Sequence, residues 1–310
     1  MEMAHTARLV RRVDSVPPAT YFVGSAVFHS LGPAFAVLLF ALVEPLGVAW
    51  LRIASAALVF ALWRRPWRTL AALDLSGRRL VIAMGAVLAV MNVCFYISID
   101  RLPLGTVAAI EFLPVIALAA IGARTLRNGV ALMGAVLGVY LLIDVELEAE
   151  PIGVAFAFAN AALFATYIVL AHRLSRSAGF SRLDGLAAAM LVAAVVATPL
   201  AGWSAAPALL DPVVVMAGIG VGITSSVVPY VFDQVAMARL PRATYALLVS
   251  ILPATATVVG IVVLKQVPTS LEIAGVALVI SGVALHREQP EKPSRTDRLE
   301  AQGAELPSRP

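Results

Sequence analysis

Charged residues are excluded from long, regularly spaced stretches of this chain. Ser15–Val43 is uncharged over 29 residues, and Leu80–Ile99, Pro151–Ala171, Gly185–Leu210, Pro212–Phe232 and Ala243–Leu264 repeat the pattern. Each approaches or exceeds the roughly 20 residues with which an α-helix crosses a hydrocarbon layer about 30 Å thick. Dividing the chain at charges, prolines and glycines predicts ten helices, at about 19–41, 46–63, 79–98, 103–122, 127–143, 151–171, 184–201, 212–232, 241–263 and 270–286. Connections between them are short. The expected class is an all-α integral membrane protein with ten transmembrane helices.

Composition agrees with that pattern. Of 310 residues, 60% are hydrophobic and 14% charged, against about 25% charged in ordinary globular domains, and the mean hydropathy is +0.91. Arg8, Arg11, Arg12 and Asp14 precede a first apolar run too long for a cleaved leader, so that run is expected to stay as a membrane span. The single cysteine, Cys94, supports neither a disulfide framework nor a metal cluster. No cofactor is predicted.

Lysine and arginine fix the orientation. With the N-terminus in the cytoplasm and sides alternating, inner connections and flanks receive 20 basic residues, among them Arg64, Arg65, Arg78, Arg79, Arg173, Arg239 and Arg242. Outer connections receive Arg101 and Lys265 alone. A wrong number of spans would scramble that asymmetry, so both termini are placed inside. Basic residues distributed in this way serve topology and not nucleic-acid binding. Residues 1–18 become a cytoplasmic segment, and 287–310, polar and rich in proline, a cytoplasmic tail expected to be disordered.

Two halves echo each other. DRLPLGTVAA at 100–109 and ARLPRATYAL at 238–247 share Arg-Leu-Pro, a threonine and an alanine at an offset of 138. With five spans per half, Arg101 falls outside and Arg239 inside. Residues 19–143 and 151–286 are therefore expected to be two inverted five-helix repeats, an arrangement suited to alternating access. Each half also carries a proline deep in its fourth span, Pro114 and Pro253, read as helix breaks.

Polar residues inside the spans mark the candidate site. At about 1.5 Å per residue, Arg52, Glu111 and Asn160 lie roughly 9–14 Å below the outer edge, and His29 and Asn92 reach a similar level from inside. A mid-bilayer charge facing lipid costs about 2.5–3.5 kcal/mol or more, so Glu111 should face the bundle interior. Arg52 matches it in sign and depth. The two either bind a zwitterionic solute, ammonium to Glu111 and carboxylate to Arg52, or form a structural pair. Asn92 and Asn160 either orient that solute or join helices. Tyr96, one turn beyond Asn92, closes the site or belongs to the aromatic belt. His29 carries protons or is a satisfied neutral histidine, and Tyr167 and Tyr245 are candidates for the second-half wall. Glycines 134, 138, 218, 220 and 222 permit close helix packing. HExxH, GxSxG and a phosphate-gripping loop with lysine are all missing from the sequence, so an enzyme is not expected.

These residues resemble a known family. The ten-helix plan, Arg52 in the second span, and Asn92, Phe95-Tyr96, Pro103-Leu104-Gly105 and Glu111-Phe112 within NVCFYISIDRLPLGTVAAIEF are similar to the EamA-type drug/metabolite transporters. The likeness is greatest to the threonine/homoserine exporter branch of bacterial inner membranes and spans about residues 20–286. It implies proton-driven efflux of small amino acids or related metabolites from the cell inner membrane, with Arg52 and Glu111 lining a central cavity. The chain departs from the family pattern at Leu252 before Pro253, at Lys265-Gln266 in place of Gly-Glu, and at Pro114, which follows Glu111-Phe112 unusually closely. Alternative readings are export of drugs or other small metabolites, a channel, or a non-transporting scaffold. The expected partners are a small solute, protons and the lipid bilayer; no feature of the sequence specifies an oligomeric state.

Overall fold

In an apolar slab the first N–H groups of a helix find no water, so each helix start must supply its own acceptor or dispense with a donor. The computed structural model, which describes residues 17–122, 125–146, 150–175, 181–239 and 252–285, does both. Helices α1 (Pro18–Leu39), α2 (Pro45–Arg64), α3 (Pro66–Ala72), α7 (Pro151–Ser175) and α9 (Pro212–Gly222) begin on proline, which has no N–H to leave unpaired. Three further starts are capped. Asp74 accepts from the Gly77 N–H at 2.8 Å to begin α4 (Leu75–Ile99). Ser181 and Asp184 form a reciprocal box on α8 (Arg182–Ala205), and Thr269 and Glu272 do the same before α12 (Ser270–Leu285). Between these lie α5 (Leu104–Gly122) and α6 (Leu126–Glu146). After α9 come a π-helical turn at Ile223–Val227, α10 (Val228–Arg239) and α11 (Leu252–Leu264).

The protein is an all-α, multi-span membrane protein. Among the described residues, α1, α2, α4, α7, α8 and the continuous rod Pro212–Asp233 are long and apolar enough to cross a bilayer, and Leu104–Pro114, Leu126–Leu142, Leu252–Leu264 and Ser270–Gly282 are shorter apolar helices. Boundaries differ from the sequence reading where local chemistry acts. The third span starts at Leu75, not 79, because Asp74 caps it. A short α3, joined to α2 through Arg65 in the left-handed region, precedes it. The eighth span continues beyond 232 to Arg239, lengthened by the π turn. The ninth is described only from Leu252, and Pro253 stands at its second position; residues 240–251 lie outside the described residues. Pro114 does not end its helix, since α5 runs on to Gly122.

Helix pairing follows small residues. α6 packs on α12, α2 on α8, α5 on α11, α4 on α7, and α1 on α10. Where α6 crosses α12, Gly138 and Gly275 face each other: a Cβ on Gly138 would lie 2.6 Å from the Gly275 carbonyl oxygen, and one on Gly275 2.8 Å from that of Gly138. α2 and α8 are tied at both ends. Arg64 bonds Asp184 at one end (Nη2–Oδ1, 2.6 Å), and the Trp50 indole N–H donates to Thr198 Oγ1 at 3.0 Å near the other. Outward stripes are apolar, as on α6, where Val130, Met133, Val136, Leu137 and Tyr140 are exposed. That is the pattern a lipid-facing surface requires.

Gly138→Ala should therefore force α6 from α12 at a cost of about 1–3 kcal/mol, lowering the thermal midpoint in detergent. Gly134→Ala is the control, because its nearest neighbour would be the Leu278 carbonyl oxygen at 4.0 Å, and it should leave the midpoint unchanged.

Candidate functional site

Arg52 is the cation within the apolar part of α2, and the structure explains how it is held. Pro229 has no N–H to return to the carbonyl four residues earlier, that of Ser225. The π turn at Ile223–Val227 widens the same stretch. Arg52 Nη2 donates to that Ser225 carbonyl at 3.2 Å, and Arg52 Nε donates to Ser226 Oγ at 3.1 Å. The guanidinium also lies 5.7 Å from the Tyr96 ring centre and 6.0 Å from that of Phe95, within cation–π range. Glycines permit this approach. A Cβ on Gly222 would stand 2.8 Å from the Arg52 carbonyl oxygen, and one on Gly32 of α1 would collide with Ser225.

Glu111 approaches from α5. Its immediate neighbours Ala109, Ile110 and Phe112 are buried, whereas Glu111 itself is half-buried, so its carboxylate lines an internal space. It lies beside the Asn160 amide and within the field of Arg52, yet no contact closes. Both polar atoms of Asn160 are buried without a hydrogen-bond partner. Arg64 pairs with Asp184 and Arg101 with Asp100, whereas no salt bridge joins Arg52 to Glu111. Arg52 and Glu111 therefore lie within each other's field without forming a salt bridge.

Helical phase adds the remaining wall. On α1, Val23, Phe35 and Leu38 form the outward stripe. At about 100° per residue, His29 falls on the opposite side, among buried Phe22, Ser25, Ala26 and Ala36, yet it is exposed. It therefore faces a cavity and not lipid. On α7, Ile152, Phe158 and Val169 point outward, and Asn160 and Tyr167, seven residues apart, lie on the opposite side. His29 meets Tyr230 of α10 edge-on, with ring centres 6.4 Å apart, and stands in the fields of Asp233 and Arg52. Tyr230 is within electrostatic range of Arg52, Asp233 and Glu111, and Tyr167 of Tyr230 and Asp233.

Of the residues selected from sequence, Arg52, Glu111, Asn160, Tyr96, His29 and Tyr167 thus converge. Tyr96 Oη and Ser225 Oγ lie beside the guanidinium without closing a hydrogen bond. Asn92 is buried and donates to the Leu88 carbonyl of its own helix at 3.3 Å, leaving its Oδ1 unpartnered. Tyr245 lies outside the described residues. Sequence reasoning missed Ser225, Ser226, Tyr230 and Asp233. Their signal was present: Pro229 inside an apolar span, four residues after Ser225, and an acid one turn after Tyr230.

A small hollow lies between the start of α5 and the α11–α12 connection, lined by Pro103, Thr106, Thr257, Gln266 and Glu272. Its acid, Glu272, is engaged in capping α12, and Gln266 Oε1 accepts from the Leu104 N–H at 3.1 Å. This hollow is a joint between helices rather than part of the charged pocket.

Comparison with known proteins agrees with the architecture. Residues 151–287 match the EamA-like transporter family. Threonine/homoserine exporter RhtA of Escherichia coli (strain K12) is 31% identical over 253 residues, covering 81% of this chain and 84% of that protein. Its Salmonella typhimurium (strain LT2) counterpart is 30% identical over the same shares. A solved protein structure superposes with a TM-score of 0.54 at 20% identity, covering 86% of this chain and 95% of its own, a likeness of fold. A transporter and not an enzyme, the chain belongs to the EamA-like transporter family, close to its RhtA-type threonine/homoserine exporter branch.

Proposed function

We propose that the protein exports small amino acids across the cell inner membrane in exchange for protons, by alternating access between two inverted five-helix repeats. Arg52, steadied by Ser225, Ser226 and Tyr96, receives the substrate carboxylate. Glu111 and Asn160 receive its ammonium. The observation that carries this reading is the pair of opposite charges, Arg52 and Glu111, which come from different helices, lie within each other's field and stay unbridged. An unsatisfied buried polar group costs about 1–3 kcal/mol. Asn160, Tyr96 and Ser225 all carry such atoms beside these charges, and a bound zwitterion would satisfy several at once.

Helix pairing supports the repeat. Number the spans one to ten, with α1, α2, α4, α5 and α6 as the first half. The pairs α6–α12, α2–α8 and α5–α11 then each join a span to the one five later. The pair α4–α7, spans three and six, becomes spans eight and one under the same shift, which is α10–α1. Such a self-mapping pattern is what two gates around one site require. The names of the RhtA relatives favour threonine and homoserine as first cargoes to test.

In proteoliposomes, wild-type protein should show saturable threonine or homoserine counterflow. Glu111→Gln and Arg52→Gln should each reduce it at least about ten-fold while the protein stays folded, a loss of about 1.4 kcal/mol or more of binding or barrier energy. Normal kinetics in either variant would remove that residue from the binding site. For topology, single cysteines at 101 and 239 in a Cys94→Ala background should react with an impermeant maleimide from opposite faces; labelling from one face would exclude the inverted repeat.

A further inference from the structure

Glu111 is not the one acid that faces the cavity. Asp233 sits one turn beyond Tyr230 on α10 and is half-buried, and across from it His29 points inward from α1 while remaining exposed. Tyr230 meets the His29 ring edge-on and is within electrostatic range of Arg52, Asp233 and Glu111. A histidine reached by water beside a carboxylate is an arrangement in which imidazole can take up a proton and give it back.

We propose that His29 and Asp233 form the proton-carrying site of this transporter, separate from the substrate contacts at Arg52 and Glu111. The inference rests on the transport reading above and names the residues that couple it to protons. One proton passes from water in the cavity to an imidazole nitrogen of His29 and is later returned to water on the other side. Asp233 balances the charge while the proton is held. Among the described residues, the ionisable groups whose fields reach the dyad or its tyrosines include Tyr230 on α10 itself, Arg52 from α2, Tyr167 from α7 and Glu111 from α5. The described part of α11, which also packs on α1, carries none.

The electrostatics give the exchange its sign. Among the described residues here, Arg52 is a permanent cation and Asp233 and Glu111 are acids. A substrate ammonium and an imidazolium draw on the same negative field and repel each other, so occupation of one site lowers the affinity of the other. Linkage makes that exclusion reciprocal. Mutual exclusion of proton and substrate is the thermodynamic condition for antiport.

The test uses full-length protein in proteoliposomes, with two readouts per variant: threonine counterflow at equal pH, which needs no net proton movement, and threonine accumulation driven by an imposed pH difference. For Asp233→Asn and His29→Gln, the ratio of accumulation to counterflow should fall at least about ten-fold relative to wild type, whatever the absolute counterflow rate. Asp233→Glu should restore the ratio. An unchanged ratio overturns the proposal, and so does loss of both readouts in Asp233→Asn without rescue by Asp233→Glu, since Asp233 would then serve folding or binding. If wild-type protein carries out no counterflow with threonine, homoserine or alanine, the substrate reading has failed. The dyad is then judged by nuclear magnetic resonance titration of His29 in lipid nanodiscs. Asp233→Asn should move its midpoint by at least about half a pH unit, and an unmoved midpoint overturns the dyad.

Discussion

The placement of one guanidinium governs the centre of this molecule. Arg52 stands well inside an apolar helix, where a permanent charge without partners costs several kcal/mol. Its shelter comes from another helix. Pro229 leaves the Ser225 carbonyl without its usual donor, the π turn opens that segment, and Arg52 fills the vacancy with two hydrogen bonds. Aromatic faces from α4 cover the remaining side of the charge. Four elements then meet at one point, because α1 must offer Gly32 and α9 must offer Gly222 for the backbones to approach. Each local departure from ideal helix geometry thus has a partner in the arginine.

Much of this was legible in the sequence because the bilayer simplifies the reading. Long uncharged runs and the positions of arginines are first-order consequences of solvent, and the helices lie close to where those runs fall. Polar residues inside the expected spans are equally visible: rise per residue alone puts Arg52, Glu111, Asn160 and His29 at a similar depth, and the structure brings them within one another's electrostatic range or onto inward faces. Contacts between distant helices were harder to read. Arg52 was matched with Glu111 by sign and depth, whereas its hydrogen bonds go to Ser225 and Ser226. A serine pair with a proline four residues after its first member looks unremarkable until a neighbouring helix brings a donor. Asp233 was overlooked for a related reason, since it ends an uncharged run and was read as a boundary. Its helix in fact continues to Arg239, so the acid lies a turn and a half inside.

Small residues set which helices pair, and thereby which polar groups can meet. At the α6–α12 crossing, Gly138 and Gly275 bring two backbones into contact, a junction that carries no charge. At α4–α8, Gly85 plays a comparable part against Ala189 and Val192. These dry crossings frame the pocket, and buried aromatic and aliphatic side chains such as Tyr96, Leu102, Val107 and Ile110 pack beside it. In lipid there is no hydrophobic drive to bring helices together, so close van der Waals fit and interhelical hydrogen bonds must do so. The pocket can therefore remain polar and partly open without weakening the bundle, because other interfaces hold the helices.

The gap between Arg52 and Glu111 also bears on energetics. A closed, desolvated ion pair would sit in an electrostatic well, and breaking it for each substrate molecule would cost several kcal/mol. Two charges held apart by hydrogen bonds to Ser225 and Ser226 on one side, and by the Asn160 amide nearby on the other, avoid that trap. Each retains part of its attraction for a mobile ion of opposite sign. In the proposed cycle a zwitterion bridges the gap and leaves it again without either helix having to rebuild a direct bond. On that reading, opposite charges that stay unbridged would hold a zwitterion without trapping it.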